Sequence, residues 1–221
     1  MTAAPALLLF DLDGTLIDSA PDLAGAANDM RLARGLAALP YAQLRPMVGS
    51  GARGMVGVAF GIGPDSPTFM PLRDEFLRRY EARMTRETKV FALVQPLLDQ
   101  LDARGVRWGI VTNKAMRYAE PVVQALGLRT RAAVLIAGDS TPHAKPHPAP
   151  LLEAAARLGT DPADCAYIGD DLRDVQAGRA AGMRTVAVTW GYLGTCEAVE
   201  TWGADHVVTS TEELLNVLAL A

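Results

Sequence analysis

The sequence predicts an α/β protein built on a doubly wound parallel sheet, with a helical cap domain inserted into it. The first observation is a series of short apolar runs without strict alternation, as expected of strands buried on both faces of a parallel sheet. The second is that most of these runs follow a segment with a helical pattern. The third is the stretch from residue 17 to 87, in which we find no convincing strand.

The predicted strands are short and mostly apolar. They are ALLLF (6–10), RWGIVT (107–112), AVLIAG (133–138), CAYIG (165–169), TVAVTW (185–190) and HVVTS (206–210). Because strands and helices alternate along the chain, the connections should be right-handed crossovers within one parallel sheet. Ligands of such sheets bind beyond the carboxyl ends of the strands, so the residues after each run are the candidates for a functional site.

Glycines mark the ends of the predicted helices between these strands. A glycine is favoured just past the last helical residue because it adopts the left-handed backbone conformation without strain. Helical patterns that end in glycine cover residues 94–105, 119–127, 150–159 and 175–182. They supply the helices that a doubly wound sheet needs between its strands.

Residues 17–87 are predicted to form a cap domain of helices. Ser19 is expected to cap the first of these helices. Residues 71–84, PLRDEFLRRYEARM, also have a strongly helical pattern. We therefore expect the chain to divide into an α/β core domain, residues 1–16 and 88–221, and this helical cap.

Composition and charge argue against two classes of partner. The 221 residues carry a net charge of −4 and no basic block, which disfavours a nucleic-acid ligand. No apolar stretch approaches the ~18 residues that would span a membrane, and no basic residue precedes the first apolar run as in a signal peptide. The sequence therefore predicts a cytoplasmic protein with no nucleic-acid or membrane partner, present as a monomer or a homodimer.

The cysteines and histidines do not predict a zinc site. Cys165 lies within an apolar run, which favours a buried thiol over a disulfide with Cys196. His143 and His147 are four residues apart, but the prolines that follow each of them argue against a helix there. We expect both histidines to be ordinary loop residues.

Polar side chains follow the first predicted strand and three of the later ones. If these strands are parallel and adjacent, their carboxyl ends meet at one edge of the sheet. The residues that would meet there are Asp11 and Asp13 after ALLLF, Thr112, Asn113 and Lys114 after RWGIV, Lys145 in the loop after AVLIAG, and Asp170, Asp171 and Asp174 after CAYIG. Such a site would combine carboxylates from two strands with a lysine and a hydroxyl.

The acids of this site require a compensating charge. Asp11 and Asp13 lie close together at the end of a core strand, where two buried carboxylates repel each other. A hard cation such as Mg²⁺ binds through one or two carboxylates together with substrate phosphate oxygens. Asp11 and Asp170 can supply those carboxylates, so the sequence favours a Mg²⁺ site.

A carboxylate beside a cation and a lysine suits phosphoryl transfer. A phosphomonoester dianion repels an attacking carboxylate, and Mg²⁺ together with Lys145 would cancel much of this charge. Asp11 could then attack phosphorus and form an aspartyl-phosphate. Asp13, two residues further on, is placed to protonate the leaving oxygen and later to deprotonate water.

Three further residues are candidates for binding the phosphoryl group. Gly14 has no side chain and would let the backbone approach the phosphate closely. Thr112 and the Asn113 amide would hold the phosphoryl oxygens. The expected ligand is thus a small phosphorylated metabolite.

Four motifs occur in order at the predicted strand ends, namely DLDGT, VTN, the lysine of AKPHP, and IGDDLRD. Together they resemble the haloacid dehalogenase (HAD) superfamily, in its phosphatase branch with a helical cap, over nearly the whole chain. The resemblance implies a Rossmann-like core and an enzyme that hydrolyses phosphomonoesters. The roles it implies are Asp11 as nucleophile, Asp13 as acid/base, Asp11, Asp170 and the backbone carbonyl of Asp13 as Mg²⁺ ligands, Thr112 and Lys145 as phosphate ligands, and Asp171 and Asp174 as support for the metal site.

Within the family, the chain most resembles the phosphoglycolate phosphatases and the N-acetylmuramic acid 6-phosphate phosphatases. The segments GSGARGMV, EFLRRYE and VTNKAMRYAEP are more similar to the second group. Substrates of both groups carry a carboxylate, and Arg53 could pair with it in bidentate fashion. Arg45 and Arg117 are weaker candidates for the same contact.

Two other functions are left open by the sequence. A phosphomutase would form the same aspartyl-phosphate and return the phosphoryl group to a sugar. A phosphate- or metal-binding protein without turnover would not need an acid/base residue, so Asp13 argues against it. The leading prediction is a Mg²⁺-dependent phosphomonoesterase acting on a small acidic phosphometabolite, either 2-phosphoglycolate or N-acetylmuramate 6-phosphate.

Overall fold

The computed structural model describes residues 4–194 and 198–220. In chain order its strands are β1 (Leu7–Phe10), β2 (Ile17–Asp18), β3 (Lys89–Val90), β4 (Trp108–Val111), β5 (Leu135–Ile136), β6 (Cys165–Gly169), β7 (Arg184–Val188) and β8 (His206–Val208). One parallel sheet has the strand order β5-β4-β1-β6-β7-β8, while β2 and β3 form a separate antiparallel pair. The predicted parallel sheet is therefore confirmed.

Helices connect the strands and build the cap. They are α1 (Ala20–Leu32), α2 (Tyr41–Leu44), α3 (Gly51–Phe60), α4 (Phe69–Glu81), α5 (Val94–Ala103), α6 (Met116–Ala125), α7 (Ala149–Arg157), α8 (Leu172–Ala180) and α9 (Thr211–Val217). The glycines predicted to follow helices all have left-handed φ angles, from +62° to +73°, at Gly105, Gly127, Gly159 and Gly182. Within the described ranges, none of the helices is long and apolar enough to cross a membrane.

The strand β1 is buried along its whole length, which explains its continuous apolar sequence. Its side chains alternate between two clusters, with Leu8 and Phe10 on one face of the sheet and Leu7 and Leu9 on the other. The ring of Phe10 meets that of Trp108 in β4 edge-on, with centroids 6.2 Å apart. Both faces of the sheet are thus covered by apolar side chains.

The strand order reverses at β1, which is hydrogen-bonded to both β4 and β6. Phe10 lies opposite Ile110 on one side and opposite Ile168 on the other. Doubly wound sheets bind their ligands at such a topological switch point, beyond the carboxyl ends of the strands. The residues just after β1, β4 and β6 therefore lie next to one another at this edge.

The helices α1 to α4 form the helical insertion that the sequence predicted. Their inward side chains build a separate hydrophobic cluster that includes Met30, Met55, Phe76 and Tyr80. This cluster gives the cap an apolar interior of its own, distinct from the clusters on the sheet. The division at residues 17–87 stays a prediction.

The expectation that residues 17–87 contain no strand is wrong at their first two positions. The strand β2 pairs with β3, with Ile17 opposite Val90 and Asp18 opposite Lys89. A strand of two residues is too short to produce a periodic pattern, so the sequence did not reveal it. The pair holds the two connections between core and cap side by side.

Ser19 precedes α1 as predicted, but its side chain does not cap the helix. The residue has φ −99° and ψ −3°, whereas a capping residue normally has extended backbone. Its hydroxyl instead donates to Oδ1 of Asp13. The backbone N–H groups of Ser19 and Ala20 donate to the hydroxyl of Tyr192 at 2.8 and 3.1 Å. These bonds attach the start of the cap to the loops at the edge of the sheet.

Candidate active site

Three strand ends bring the predicted residues together. Asp11 follows β1, Thr112 follows β4 and Asp170 follows β6, and all three are buried. They line a cavity of about 430 Å³ between the edge of the sheet and the cap. The other predicted residues that reach this cavity are Asp13, Asn113, Lys114, Lys145, Asp171 and Asp174.

The cap supplies the opposite wall of the cavity, which is mostly apolar and aromatic. Its large apolar and aromatic side chains are Leu23 of α1, Val48, and Phe76, Leu77 and Tyr80 of α4, and Arg73 of α4 also lines the cavity. A wall of this kind excludes water from the reacting groups and accepts the organic part of a ligand.

Lys145 is the buried cation at the centre of the site, with its side chain only 3% exposed. Its Nζ donates to Oδ1 of Asp11 at 2.8 Å and to Oδ1 of Asp174 at 2.7 Å. It also donates to the hydroxyl of Tyr167 at 2.6 Å, and the carbonyl of Val111, which accepts from Tyr167, lies 3.1 Å away. Although burial alone would lower the pKa of Lys145, the charges of the two aspartates raise it above its ordinary value. The lysine is therefore charged throughout the physiological range.

Asn113 holds the loop that carries Lys145. Its Nδ2 donates to the backbone carbonyl of Lys145 at 2.9 Å, and its Oδ1 accepts from the backbone N–H of Lys145 at 3.0 Å. The side chain of Asn113 is therefore engaged in the protein, and its backbone N–H is the group left for a phosphoryl oxygen.

Asp11 presents one oxygen to Lys145 and the other to the cavity. Its Oδ1 accepts from Lys145, whereas no donor among the described residues forms a hydrogen bond with Oδ2. Burial raises the pKa of Asp11 to about 6, against the opposing charge of Lys145 and with a further contribution from Asp174. A carboxylate oxygen without a protein partner is suited to attack an electrophile or to bind a cation.

Asp170 is fixed by two donors and by two glycines. Thr15 Oγ1 donates to its Oδ1 at 2.9 Å, and the backbone N–H of Tyr192 donates to its Oδ2 at 2.7 Å. A Cβ on Gly14 or on Gly191 would lie 2.2 or 2.3 Å from atoms of this carboxylate. Gly14, with φ +92°, therefore makes room for Asp170. It is not among the residues that line the cavity, so its role beside the phosphate stays a prediction.

The buried acids form a group that could hold a metal ion. Asp11, Asp170 and Asp174 each offer one carboxylate oxygen, and these atoms all lie within 4.8 Å of one another. Burial and the charge of Asp11 raise the pKa of Asp170 well above its ordinary value. Lys145 offsets only part of this negative charge, and carboxylate oxygens are the ligands that hard divalent cations prefer. The donor set thus fits the Mg²⁺ ion expected from the sequence.

Asp13 is paired with a lysine that was not assigned a role from the sequence. Nζ of Lys114 donates to both carboxylate oxygens of Asp13 at 2.9 Å, and it lies 4.9 Å from the ring centroid of Tyr80 in the cap. Burial opposes the charge of Lys114, but Asp13 raises the pKa of the lysine above its ordinary value. Its position directly after Asn113 at a strand end was the available sequence signal.

Asp171 and Asp174 form a reciprocal cap at the start of α8. Asp171 accepts from the backbone N–H of Arg173 at 2.9 Å, and Asp174 Oδ2 accepts from the backbone N–H of Asp171 at 3.1 Å. Arg173 also pairs with Asp171 through Nε and Nη2, both at 2.7 Å, and donates to the carbonyl of Gly49 in the cap. Arg173 was not predicted, and it connects this helix start to the cap.

The arginines predicted to bind a substrate carboxylate do not line the cavity. Arg53 is exposed on α3. Arg45 donates to the carbonyls of Gly191 and Trp190 at 3.0 and 3.3 Å, and Arg117 is an exposed residue whose Nη2 lies 2.6 Å from a carboxylate oxygen of Glu81. The predicted role of Arg53 in substrate binding is therefore not supported by its position and stays a prediction.

The cysteines and histidines considered in the sequence analysis do not belong to the group of Asp11, Asp170 and Asp174. Cys165 is a buried free thiol whose pKa is raised to about 11 by burial. Cys196 lies outside the described residues. His143 and His147 are exposed loop residues with ring centroids 4.4 Å apart.

Comparison with known proteins gives the family that the four sequence motifs resemble. The family model described as "Haloacid dehalogenase-like hydrolase" matches residues 8–188. This chain belongs to that family. Among its curated relatives, the N-acetylmuramic acid 6-phosphate phosphatase of Pseudomonas aeruginosa is 44% identical over 96% of this chain and 93% of that protein. The phosphoglycolate phosphatase of Xylella fastidiosa is 48% identical over 93% of this chain and 90% of that protein.

Solved structures of this haloacid dehalogenase-like family share the fold. A structure described as a "predicted phosphoglycolate phosphatase" from Haemophilus somnus aligns with a TM-score of 0.83 at 26% identity, over 96% of this chain and 97% of that chain. The expected family, fold and enzyme class are confirmed. The chain is a hydrolase of this family, and the curated relatives named above are phosphatases.

Proposed function

We propose that this protein is a Mg²⁺-dependent phosphomonoester hydrolase that works through an aspartyl-phosphate on Asp11. The observation that carries the proposal is the environment of that carboxylate. Its Oδ1 is held by Lys145 at 2.8 Å, and its Oδ2 has no hydrogen-bond donor among the described residues at the cavity. One oxygen is thus oriented by a cation while the other is available for attack.

In the first step, Oδ2 of Asp11 attacks phosphorus and the bond from phosphorus to the leaving oxygen breaks. Asp13 gives its proton to that oxygen, so the alcohol leaves neutral. Lys145, Thr112 and the backbone N–H of Asn113 are the groups we assign to the phosphoryl oxygens, where they would stabilise the charge of the transition state. Gly14 contributes indirectly, because the absence of a side chain leaves space for the Asp170 carboxylate.

In the second step, water attacks phosphorus and the bond from phosphorus to Asp11 breaks, which releases inorganic phosphate. Asp13 takes the proton from that water. Lys114 Nζ, at 2.9 Å from both carboxylate oxygens of Asp13, is assigned the role of orienting this side chain. Asp13 thus returns to the protonated state in which it began the first step.

The group we assign to Mg²⁺ consists of Asp11, Asp170 and the backbone carbonyl of Asp13. When bound, Mg²⁺ supplies charge neutralisation for the phosphoryl oxygens and for the nucleophile. Asp174 is assigned a supporting role, because its two oxygens already accept from Lys145, Tyr167 and the backbone N–H of Asp171.

The proposed substrates are the small acidic phosphometabolites named in the curated relatives, 2-phosphoglycolate and N-acetylmuramate 6-phosphate. We predict hydrolysis of both N-acetylmuramate 6-phosphate and p-nitrophenyl phosphate with Mg²⁺, and loss of both activities with excess EDTA. Release of inorganic phosphate is the measurement. Absence of turnover under all conditions would favour a binding protein, and activity that requires a sugar bisphosphate would favour a phosphomutase.

A second prediction concerns metal binding without turnover. At pH 8, Mg²⁺ at about 100 times its dissociation constant at that pH should stabilise the fold by about 2.7 kcal/mol, provided that it binds only the native state. The stabilisation should be larger at pH 8 than at pH 5, because Asp11, with a pKa of about 6, is protonated at pH 5 and protons then compete with the cation. Thermal unfolding of the purified chain with and without Mg²⁺ measures both effects.

The control for this measurement is the Asp170→Asn variant, which removes one of the two proposed carboxylate ligands. It should show a much smaller shift with Mg²⁺ at pH 8. A shift that is equal at the two pH values, or that is unchanged in this variant, would contradict the assigned metal site.

The cytoplasmic location and the monomeric or homodimeric state also stay predictions.

A further inference from the structure

Arg73 on α4 is a cavity-lining cation with unused hydrogen-bonding capacity. Its Nε is buried and has no hydrogen-bond partner among the described residues. Its Nη2 lies 3.1 Å from Oδ1 of the neighbouring Asp74, whose side chain is half exposed, and its Nη1 lies 3.7 Å from Sδ of Met70. An exposed ion pair of this kind contributes little energy, so the guanidinium can accept a better partner.

The other cations at the cavity are already engaged. Lys145 is bound by Asp11 and Asp174, and Lys114 is bound by Asp13. Arg173 forms a two-point ion pair with Asp171 and donates to the cap. Among the cavity-lining cations that the structure describes, Arg73 is therefore the one that can take up a further anion.

The spacing along α4 directs Arg73 toward the cavity. Arg73, Phe76, Leu77 and Tyr80 all line it, and positions three, four and seven residues apart share one face of a helix. An arginine on an otherwise apolar and aromatic face is not explained by packing within the cap. Its position indicates a contact with a ligand inside the cavity.

The distance along the helix limits what that ligand can be. Tyr80 marks the catalytic end of the face, since Lys114 lies beside its ring and also pairs with Asp13. Arg73 precedes Tyr80 by seven residues, and this length of α-helix rises about 10 Å. The contact with Met70, one turn earlier, shows that the side chain of Arg73 leans further from the catalytic end.

We propose that Arg73 binds a carboxylate on the leaving group of the substrate, far from the phosphate, and so selects a phosphorylated sugar acid over a two-carbon acid. This inference rests on the proposed phosphatase activity. The carboxyl carbon of 2-phosphoglycolate lies only about 4 Å from phosphorus, given bond lengths of about 1.5 Å, which is well short of the rise of about 10 Å between Tyr80 and Arg73. A carboxylate across a sugar ring from the phosphate spans it, and a cavity of about 430 Å³ has room for the ring.

The test compares wild type with Arg73→Gln on paired substrates in the presence of Mg²⁺. The pair is N-acetylmuramate 6-phosphate and N-acetylglucosamine 6-phosphate, which lacks the carboxylate, with 2-phosphoglycolate and p-nitrophenyl phosphate alongside. Because hydrogen bonds to charged groups are worth about 1.5–3 kcal/mol, Arg73→Gln should lower kcat/KM about 10–100-fold for the carboxylated sugar, mainly through KM. The other three substrates should change less than about threefold, since they make no contact with Arg73.

The matched control is Arg78→Gln, which changes an exposed arginine of the same helix that does not line the cavity. It should leave kcat/KM unchanged for all four substrates. Calorimetry repeats the comparison without turnover, with N-acetylmuramate 6-phosphate as the ligand of Asp11→Asn and of Asp11→Asn/Arg73→Gln. The double variant should bind this ligand more weakly than Asp11→Asn does.

Three results would each overturn the inference. The first is an equal loss of kcat/KM on all substrates in Arg73→Gln, and the second is a loss on 2-phosphoglycolate as large as on the sugar acid. The third is a wild type without preference for the carboxylated sugar. In these cases hydrolysis of p-nitrophenyl phosphate by wild type would leave the proposed phosphatase activity intact. If wild type does not hydrolyse p-nitrophenyl phosphate or any other phosphate offered, the proposed function fails, and the inference fails with it.

Discussion

The Asp11→Asn variant should release phosphate at least ~10⁴-fold more slowly than wild type, because an amide cannot form the aspartyl-phosphate. The substitution keeps the size of the side chain and can leave the contact with Lys145 through the amide oxygen. Loss of activity should therefore come from chemistry and not from misfolding. Single-turnover and steady-state phosphate release with p-nitrophenyl phosphate and Mg²⁺ are the measurements.

The same variant should be more stable than wild type in metal-free buffer at pH 8. The pKa of Asp11 is about 6 in the folded chain and has an ordinary value of 3.8, so the native state binds more protons than the unfolded state between about pH 4 and 6. The contribution of Asp11 to stability is therefore present at low pH and lost as pH rises through this window. Asparagine carries no charge at either pH, so its advantage in the midpoint of thermal unfolding should be largest at pH 8 and about half as large at pH 5, within the titration window.

The control for both measurements is Asp65→Asn, an isosteric change at an exposed position outside the cavity. It should retain full activity and the wild-type dependence of stability on pH. Near-normal phosphate release by Asp11→Asn would show that Asp11 is not the nucleophile. If Asp11→Asn is less stable than wild type at pH 8, burial of the charged Asp11 carboxylate does not destabilise the fold, and this explanation is wrong.

The strand ends of the site were predictable because the relevant information is local. Asp11, Thr112 and Asp170 each follow a continuous apolar run, and such runs identify buried parallel strands. Adjacent parallel strands place their carboxyl ends together, so the cluster of acids followed from topology alone. Lys145 could be added because its loop follows another predicted strand.

The cap side of the site was not predictable in the same way. Whether Arg53 or Arg73 faces the cavity depends on how α3 and α4 pack over the sheet, and helical periodicity does not determine that packing. Arg73 does share a helix face with Phe76 and Tyr80, a pattern that was visible in the sequence. The pairing of Lys114 with Asp13 joins residues about 100 positions apart in the chain, and only the folded structure reveals such a contact.

Replacing Lys145 with methionine should have the largest effect on the fold. The substitution removes the cation that contacts the carboxylates of Asp11 and Asp174 and the carbonyl of Val111. The two buried carboxylates then have no positive partner at this position. Removing one partner of a buried ion pair costs about 3–5 kcal/mol. Without the lysine, the pKa of Asp11 should rise further, so the destabilisation should be greater at pH 8 than at pH 5. Denaturant unfolding in metal-free buffer at the two pH values measures it.

A second substitution separates this structural effect from catalysis. In Lys145→Met/Asp174→Asn, one of the unpaired acids is neutral, so part of the lost stability should return at pH 8. Phosphate release should remain as low as in the single variant, because the charge that offsets the phosphoryl group is still missing. Lys89→Met, at an exposed lysine, should behave as wild type in both measurements. Wild-type stability in Lys145→Met at pH 8 would contradict the role of this lysine as the partner of the buried acids. Recovery of phosphate release in the double variant would show instead that Lys145 acts on structure alone.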